Sequence, residues 1–153
     1  MGDSPIIRIE NAVKSTIAVN YAGGYSALDL SNRVIIGEVT APPMIPFATV
    51  QFQDFIEDDG QALGRYMGDA EFSIVCYAGG TTTAVDSRRQ QVINLASDII
   101  RSITANRLLG FTDGIVDDVQ CSFLARDGDK LGIPNVGIAY IRLIVRRQTD
   151  RGD

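Results

Sequence analysis

The sequence predicts an α+β domain. It should be a two-layer sandwich with a mostly antiparallel four-stranded sheet, packed on one face by a long helix and an N-terminal helix. Three observations predict it. Apolar and polar residues alternate with period two in four separate segments, as half-buried strands require. Two other segments carry apolar residues at helical spacing. Glycine, proline and acidic stretches divide these segments, and no internal repeat or low-complexity tract appears.

In chain order, Ser4-Pro5 suits a helix start, with serine as N-cap and proline in the first turn. Ile6, Ile9, Val13 and Ile17 then form one stripe, which Tyr21–Tyr25 with its paired glycines ends. Val34–Val39 is short, apolar and extended. Pro42, Pro43 and Pro46 bar both helix and central strand. Ala48, Val50 and Phe52 alternate with Thr49, Gln51 and Gln53, giving the first strand of the four. A long polar loop is expected from Glu57 to Asp69.

The second strand, Ala70–Tyr77, turns Phe72, Ile74 and Cys76 to one side. The strongest element follows, a helix from about Ala84 to Leu109. Val92, Leu95, Ala96, Ile99 and Ile103 form its stripe, Gly110 its stop, and Arg88, Asp98 and Arg101 its polar face. Two strands close the chain. Val119, Cys121 and Phe123 alternate in one; Ala139, Ile141, Leu143 and Val145 alternate with Tyr140, Arg142 and Arg146 in the other. The expected core is Phe72, Ile74, Cys76, Val92, Ile99, Ile103, Cys121, Phe123, Ile141 and Leu143.

The 153 residues suit one domain spanning 1–153, with 1–31 the N-terminal helix and glycine-rich connector, 32–147 the α+β core, and 148–153 a polar tail. A 45% apolar content suffices for a core. There is no histidine, which excludes Ser-His-Asp and Cys-His nucleophile systems and the usual zinc sites. The net charge of −5 argues against a non-specific nucleic-acid binder, which needs a basic face. Met1–Pro5 lacks a basic n-region, and no stretch approaches the roughly 18–20 apolar residues of a membrane span, so neither a secretory signal nor a span is expected. Cys76 and Cys121 form no CxxC pair and read as buried free thiols.

Candidate chemistry is sparse. Gly79-Gly80-Thr81-Thr82 lies between strand and helix but lacks the spaced glycines and the lysine of a phosphate loop. Asp127-Gly128-Asp129 hints at a calcium turn without the rest of a calcium loop. Glu57, Asp58 and Asp59, and again Asp117 and Asp118, read as solvated loop acids. Arg88-Arg89 sits in a first helical turn, where the helix dipole disfavours cations, and reads as an exposed pair. Arg142, Arg146, Arg147 and Arg151 make the C-terminal end basic against an acidic remainder. No catalytic, cofactor-binding or metal-binding residue is expected, and no cofactor.

The order of elements resembles the tail terminator (minor tail, tail-completion) proteins of long-tailed bacteriophages. The residues that carry the resemblance are Arg33-Val34, the proline-rich approach ending Ile45-Pro46-Phe47, a strand ending in acids, a second strand, a long helix closing in Asn106-Arg107-Leu108-Leu109-Gly110, and a two-strand finish with the basic end Val145-Arg146-Arg147. The resemblance spans the chain from about Asn32. It implies a structural virion protein without catalytic residues. It also implies a homohexameric ring that caps the finished tail tube and joins it to the head connector. The implied partners are other copies of the chain, a tail tube protein, a head connector or stopper protein, and phage DNA that passes through the lumen without specific binding. No membrane is implied. The location is the virion, at the head–tail interface, after assembly in the host cytoplasm.

Complementary charge for the subunit interface is available in Glu57, Asp58 and Asp59 on one side and Arg142, Arg146 and Arg147 on the other. The competing readings are another head–tail connector or tail-tube component, a small carboxylate-based hydrolase using Asp58, Asp59 or Asp117, and a small-ligand binding module.

Overall fold

The computed structural model describes residues 2–18, 24–25, 30–57, 65–79 and 85–150. Ser4 opens the first helix, α1 (Pro5–Ala18), as its N-cap: Ile7 N donates to Ser4 Oγ at 3.3 Å and Arg8 N to Ser4 O at 3.0 Å. Ile9, Val13 and Ile17 are fully buried along its inner stripe, and Ile6 is half-buried beside them. The second helix, α2 (Val85–Ala105), buries Val92, Leu95, Ala96, Ile99 and Ile103 completely.

Both helices lie on one face of a five-stranded mixed sheet. Its strands are β1 (Val34–Ile36), β2 (Phe47–Glu57), β3 (Arg65–Gly79), β4 (Val116–Asp127) and β5 (Val136–Asp150), in the order β1-β2-β3-β5-β4. β1 runs parallel to β2, and every other neighbouring pair is antiparallel. The domain is therefore α+β as expected, but the sheet is neither four-stranded nor purely antiparallel. The segment expected only to be extended becomes a strand because its backbone groups find partners on β2. Ala48 N donates to Arg33 O at 3.0 Å, and Gly37 N to Val50 O at 2.9 Å. Val34 also carries the buried apolar face one strand further.

Three element bounds differ from expectation. Strand pairing replaces much of the expected loop after Glu57, since Ile56 pairs with Asp69, Glu57 with Gly68, and β3 starts at Arg65. β5 continues to Asp150, so the backbone of the expected polar tail is paired that far, against 65–67. α2 ends at Ala105, and Asn106–Gly110 is a succession of turns rather than a helix end. Asn106 Nδ2 takes the Ser102 carbonyl at 2.8 Å, and Leu109 already has a left-handed backbone (φ 52°) before Gly110 (φ 82°).

The inner face is built in rows across the strands. Ala48, Cys76, Ala139 and Ala125 share one row; Val50, Ile74, Ile141 and Phe123 the next; Phe52, Phe72, Leu143 and Cys121 the third. Two irregularities keep this face apolar where simple alternation would fail. Pairing skips Gln53 on β2 and Asp117 on β4. Each skip resets the period, so Phe52 and Phe55 both face the helices, as do Val116 and Val119. Eight of the ten expected core residues are buried. The exceptions are Cys121, which is half-buried, and Phe123, which is 38% exposed. Both lie on β4, the outermost strand, where the helix layer thins.

The polar face expected for α2 is only partly polar. Asp98 is fully buried, and both its carboxylate oxygens accept from Tyr25 N, at 3.0 and 3.2 Å. Arg88, expected on the surface, is 2% exposed, whereas its neighbour Arg89 is exposed. The Arg88 guanidinium grips Asp127 with both arms, Nε to Oδ1 at 2.8 Å and Nη2 to Oδ2 at 2.9 Å. This fork joins the first turn of α2 to the end of β4. Gly137 makes the approach possible. A Cβ there would stand 2.6 Å from Arg88 O and 2.9 Å from Val92 Cγ1.

Two outcomes follow for stability. Truncating Ile99 to alanine should cost about 2–5 kcal/mol in chemical denaturation. Asp127→Ala, which leaves the Arg88 charge buried without its carboxylate, should cost about 3–5 kcal/mol, and the double change Arg88→Met with Asp127→Leu should recover most of that loss.

Candidate functional site

The side of the sheet away from the helices carries no described α-helix and is covered only at one end. Its rows mix charge with apolar groups: Thr49, Val75, Tyr140 and Leu124 in one, Gln51, Ser73, Arg142 and Ser122 in the next, and Ile56, Asp69, Arg146 and Asp118 towards the far end. At the other end Phe47, Tyr77, Val136 and Ile138 form a small second core, flanked by Val39, Ile45, Ile133 and Tyr140. A cavity of about 460 Å³ opens there between the 38–40 and 131–133 segments. Arg33 braces this end, its Nη1 donating to Ile45 O at 2.9 Å. That bond joins two of the segments that carry the family resemblance.

Of the expected interface residues, Arg142 and Arg146 fall on this face towards the opposite, charged end. Arg142 Nε donates to Glu71, and Arg146 Nη1 to Asp69 Oδ1 at 3.2 Å. Arg107 holds Asp118 similarly, at 2.8 and 3.3 Å. These pairs are partly or fully exposed, where water and salt screen the attraction and leave each of them weak. The hydrogen bond from Arg107 keeps the Asp118 carboxyl below its ordinary range. Glu57 shares a row with Gly68 and Arg147. Asp58 and Asp59 lie outside the described residues.

Arg147 belongs to the other face. It is 4% exposed, and its guanidinium lies over the Phe55 ring at 5.4 Å from the centroid. Gly68 makes room for that ring: a Cβ there would stand 2.5 Å from Phe55 Cζ. Alternation signalled this placement, because Arg147 continues the inward series Ala139, Ile141, Leu143 and Val145. Arg88 carries a comparable signal. It sits four residues before Val92, in line with the apolar stripe of α2.

The acids do not assemble a reactive centre among the described residues. Asp127 is bound by Arg88, Asp118 by Arg107, and Asp117 is exposed on the β4 irregularity. No group of three or more metal-ligating side chains occurs among the described residues. Of Gly79-Gly80-Thr81-Thr82 only Gly79 is described. No described helix is long and apolar enough to cross a membrane. The two cysteines are free; burial pushes the Cys76 thiol up to about 12 and the Cys121 thiol up to about 11.

No protein-family model matches this sequence, and no curated protein is similar to it in sequence. The fold does match. A chain in the solved structure "Virion of native gene transfer agent (GTA) particle" superimposes with a TM-score of 0.61 at 12% sequence identity, over 92% of this chain and 95% of that one. The likeness is one of fold.

Thiol reactivity tests the burial described here. At pH 8 the native protein should leave Cys76 unlabelled by a maleimide and label Cys121 slowly, while the unfolded chain labels both at once. Both thiols ionise at higher pH in the folded state than in the unfolded chain, where the value is near 9. Their contribution to stability is therefore intact below about pH 9 and is lost progressively as pH rises towards 11–12. Denaturation midpoints measured from pH 7 to 11 check this.

Proposed function

We propose that this chain is a structural protein of a phage-type virion, and within it a tail terminator: a ring, of six copies, that caps the finished tail tube and joins it to the head connector. One observation carries the reading. Nearly the whole chain overlays nearly the whole of a chain from a virion structure. The order of elements from Asn32 to Arg147 supports the terminator position within such a particle.

In this reading the partners are further copies of the chain, the tail tube protein and the head connector or stopper protein. DNA passes through the lumen unbound, since a net charge of −5 per subunit repels phosphate. The protein works in the virion at the head–tail interface, after assembly in the host cytoplasm, and catalyses no reaction. Glu57, Asp58 and Asp59, with Arg142, Arg146 and Arg147, contribute to subunit contacts. Arg142 and Arg146 do so from the open face. Arg147 acts from beneath the surface, holding the end of β5 against Phe55. A hydrolase role has weaker support, because Asp117 is exposed and Asp118 is engaged by Arg107.

Light scattering and negative-stain imaging test the proposal. The purified protein should form one closed ring, and with tail tubes present the ring should sit at a tube end. Long tubes made by this chain alone would reassign it as a tube component, and a monomer even at high concentration would refute the ring. Arg142→Glu with Arg146→Glu should weaken assembly modestly, more at low salt than at high salt, where screening already mutes the charges.

A further inference from the structure

We infer that the two edges of the sheet join copies of this chain: the β4 edge of one subunit pairs antiparallel with the β1 edge of the next, so that Leu124 meets the neighbour's Ile35 and Phe123 the neighbour's Ile36. The pairing rests on the ring proposed above and specifies its contact.

The first observation is that both edges are adhesive in the same way. β1 and β4 are the outermost strands, and among the described residues each has a strand partner on one side only. Each carries two consecutive exposed apolar residues, Ile35 and Ile36 at 37% apiece on β1, Phe123 at 38% and Leu124 at 48% on β4. An exposed apolar edge invites pairing with another chain.

The second observation is their registration. Ile35, Thr49, Val75, Tyr140 and Leu124 form one continuous row across all five strands. Ile36, Val50, Ile74, Ile141 and Phe123 form the adjacent row. The apolar pairs therefore stand at the same level on opposite edges. They also agree in facing. Ile35 and Leu124 belong to the open face, and Ile36 and Phe123 to the helix face. Residues opposed across a ladder must share a face, and both opposed pairs meet that requirement.

Strand direction adds a third agreement. β4 runs opposite to β1, because one parallel and three antiparallel steps separate them. Copies related by rotation about an axis along the strands keep these directions, so the new ladder is antiparallel throughout. A contact of this kind uses two different edges. It is heterologous, and it can close into a ring.

Parts of each edge beyond this level are already engaged within the chain. On β2 beyond β1, Phe52 N is taken by Glu10 Oε2 at 2.8 Å and Phe55 N by Asp54 Oδ1 at 2.8 Å. Near the start of β4, Val119 N is taken by Asp118 Oδ1 at 2.9 Å.

Cross-linking tests the pairing in the full chain, with Cys121→Ser in every variant to remove the half-buried thiol. Ile35→Cys and Leu124→Cys both place a thiol at an exposed position. The chain carrying both should be linked by a short bis-maleimide into a ladder of multimers. Chains carrying either change alone should stay unlinked. Linking of the Leu124→Cys chain alone would overturn the inference in favour of a two-fold β4–β4 contact. Rings by light scattering with no linking of the double variant would overturn the edge pairing and leave the ring standing. A monomeric wild-type chain would remove both. Leu124→Lys, with a folded-state circular dichroism spectrum, should lose the ring; retention of the ring would count against the pairing.

Discussion

A buried cation holds the two layers in their relative positions. Arg88 sits under the first turn of α2 at 2% exposure, where a guanidinium stands only if its charge and donors are answered. Asp127 answers them from the last residue of β4 with a two-pronged grip. Because α2 packs against β3, β5 and β4, this grip sets the register between the principal helix and most of the sheet. Gly137 permits the short distance, and the apolar stripe of α2 then lies on β3, β5 and β4. The hairpin after β4 depends on the same grip, since Gly128 follows Asp127 directly and its carbonyl accepts from Ile133 N at 2.8 Å.

Much of this fold is legible in the chain because the period of apolar residues reports which face is buried. Both helices and the facing of β2, β3 and β5 follow from that period. Periodicity says less about neighbours. Val34–Ile36 is too short to show an alternation, and only its pairing with Ala48–Val50 makes it a strand. Strand order is likewise invisible in a one-dimensional pattern. Phe123 and Cys121 alternate correctly, yet they lie on an outer strand with thin cover. Polar residues on apolar stripes were the other blind spot. Arg88 and Arg147 both keep the apolar period of their elements, and their charge obscures it.

The candidate assembly surface was legible in parts. The charged end was visible as runs of acids and arginines, but sequence order could not show that Arg142 and Arg146 meet Glu71 and Asp69 within the chain. Those partners lie across a strand pair and some seventy positions away. The apolar edges were visible only as ordinary strand residues. Their exposure depends on which strands end up outermost, and that is a property of the sheet.

The irregularities at Gln53 and Asp117 bear on how the chain tolerates change in length. Each adds one residue on the strand side where it lies, and each lets the next apolar residue return to the helix face. Substitutions at these two sites leave the count intact. Removing either residue would leave a regular ladder, with Phe52, Asp54 and Phe55 still facing in, out and in, and Val116, Asp118 and Val119 likewise. A one-residue deletion elsewhere in the paired part of β2, such as between Phe47 and Phe52, would instead turn the side chains on one side of it to the other face. Homologous chains should therefore tolerate a one-residue gap at these two positions, while a gap within the regular stretches would mark a different sheet.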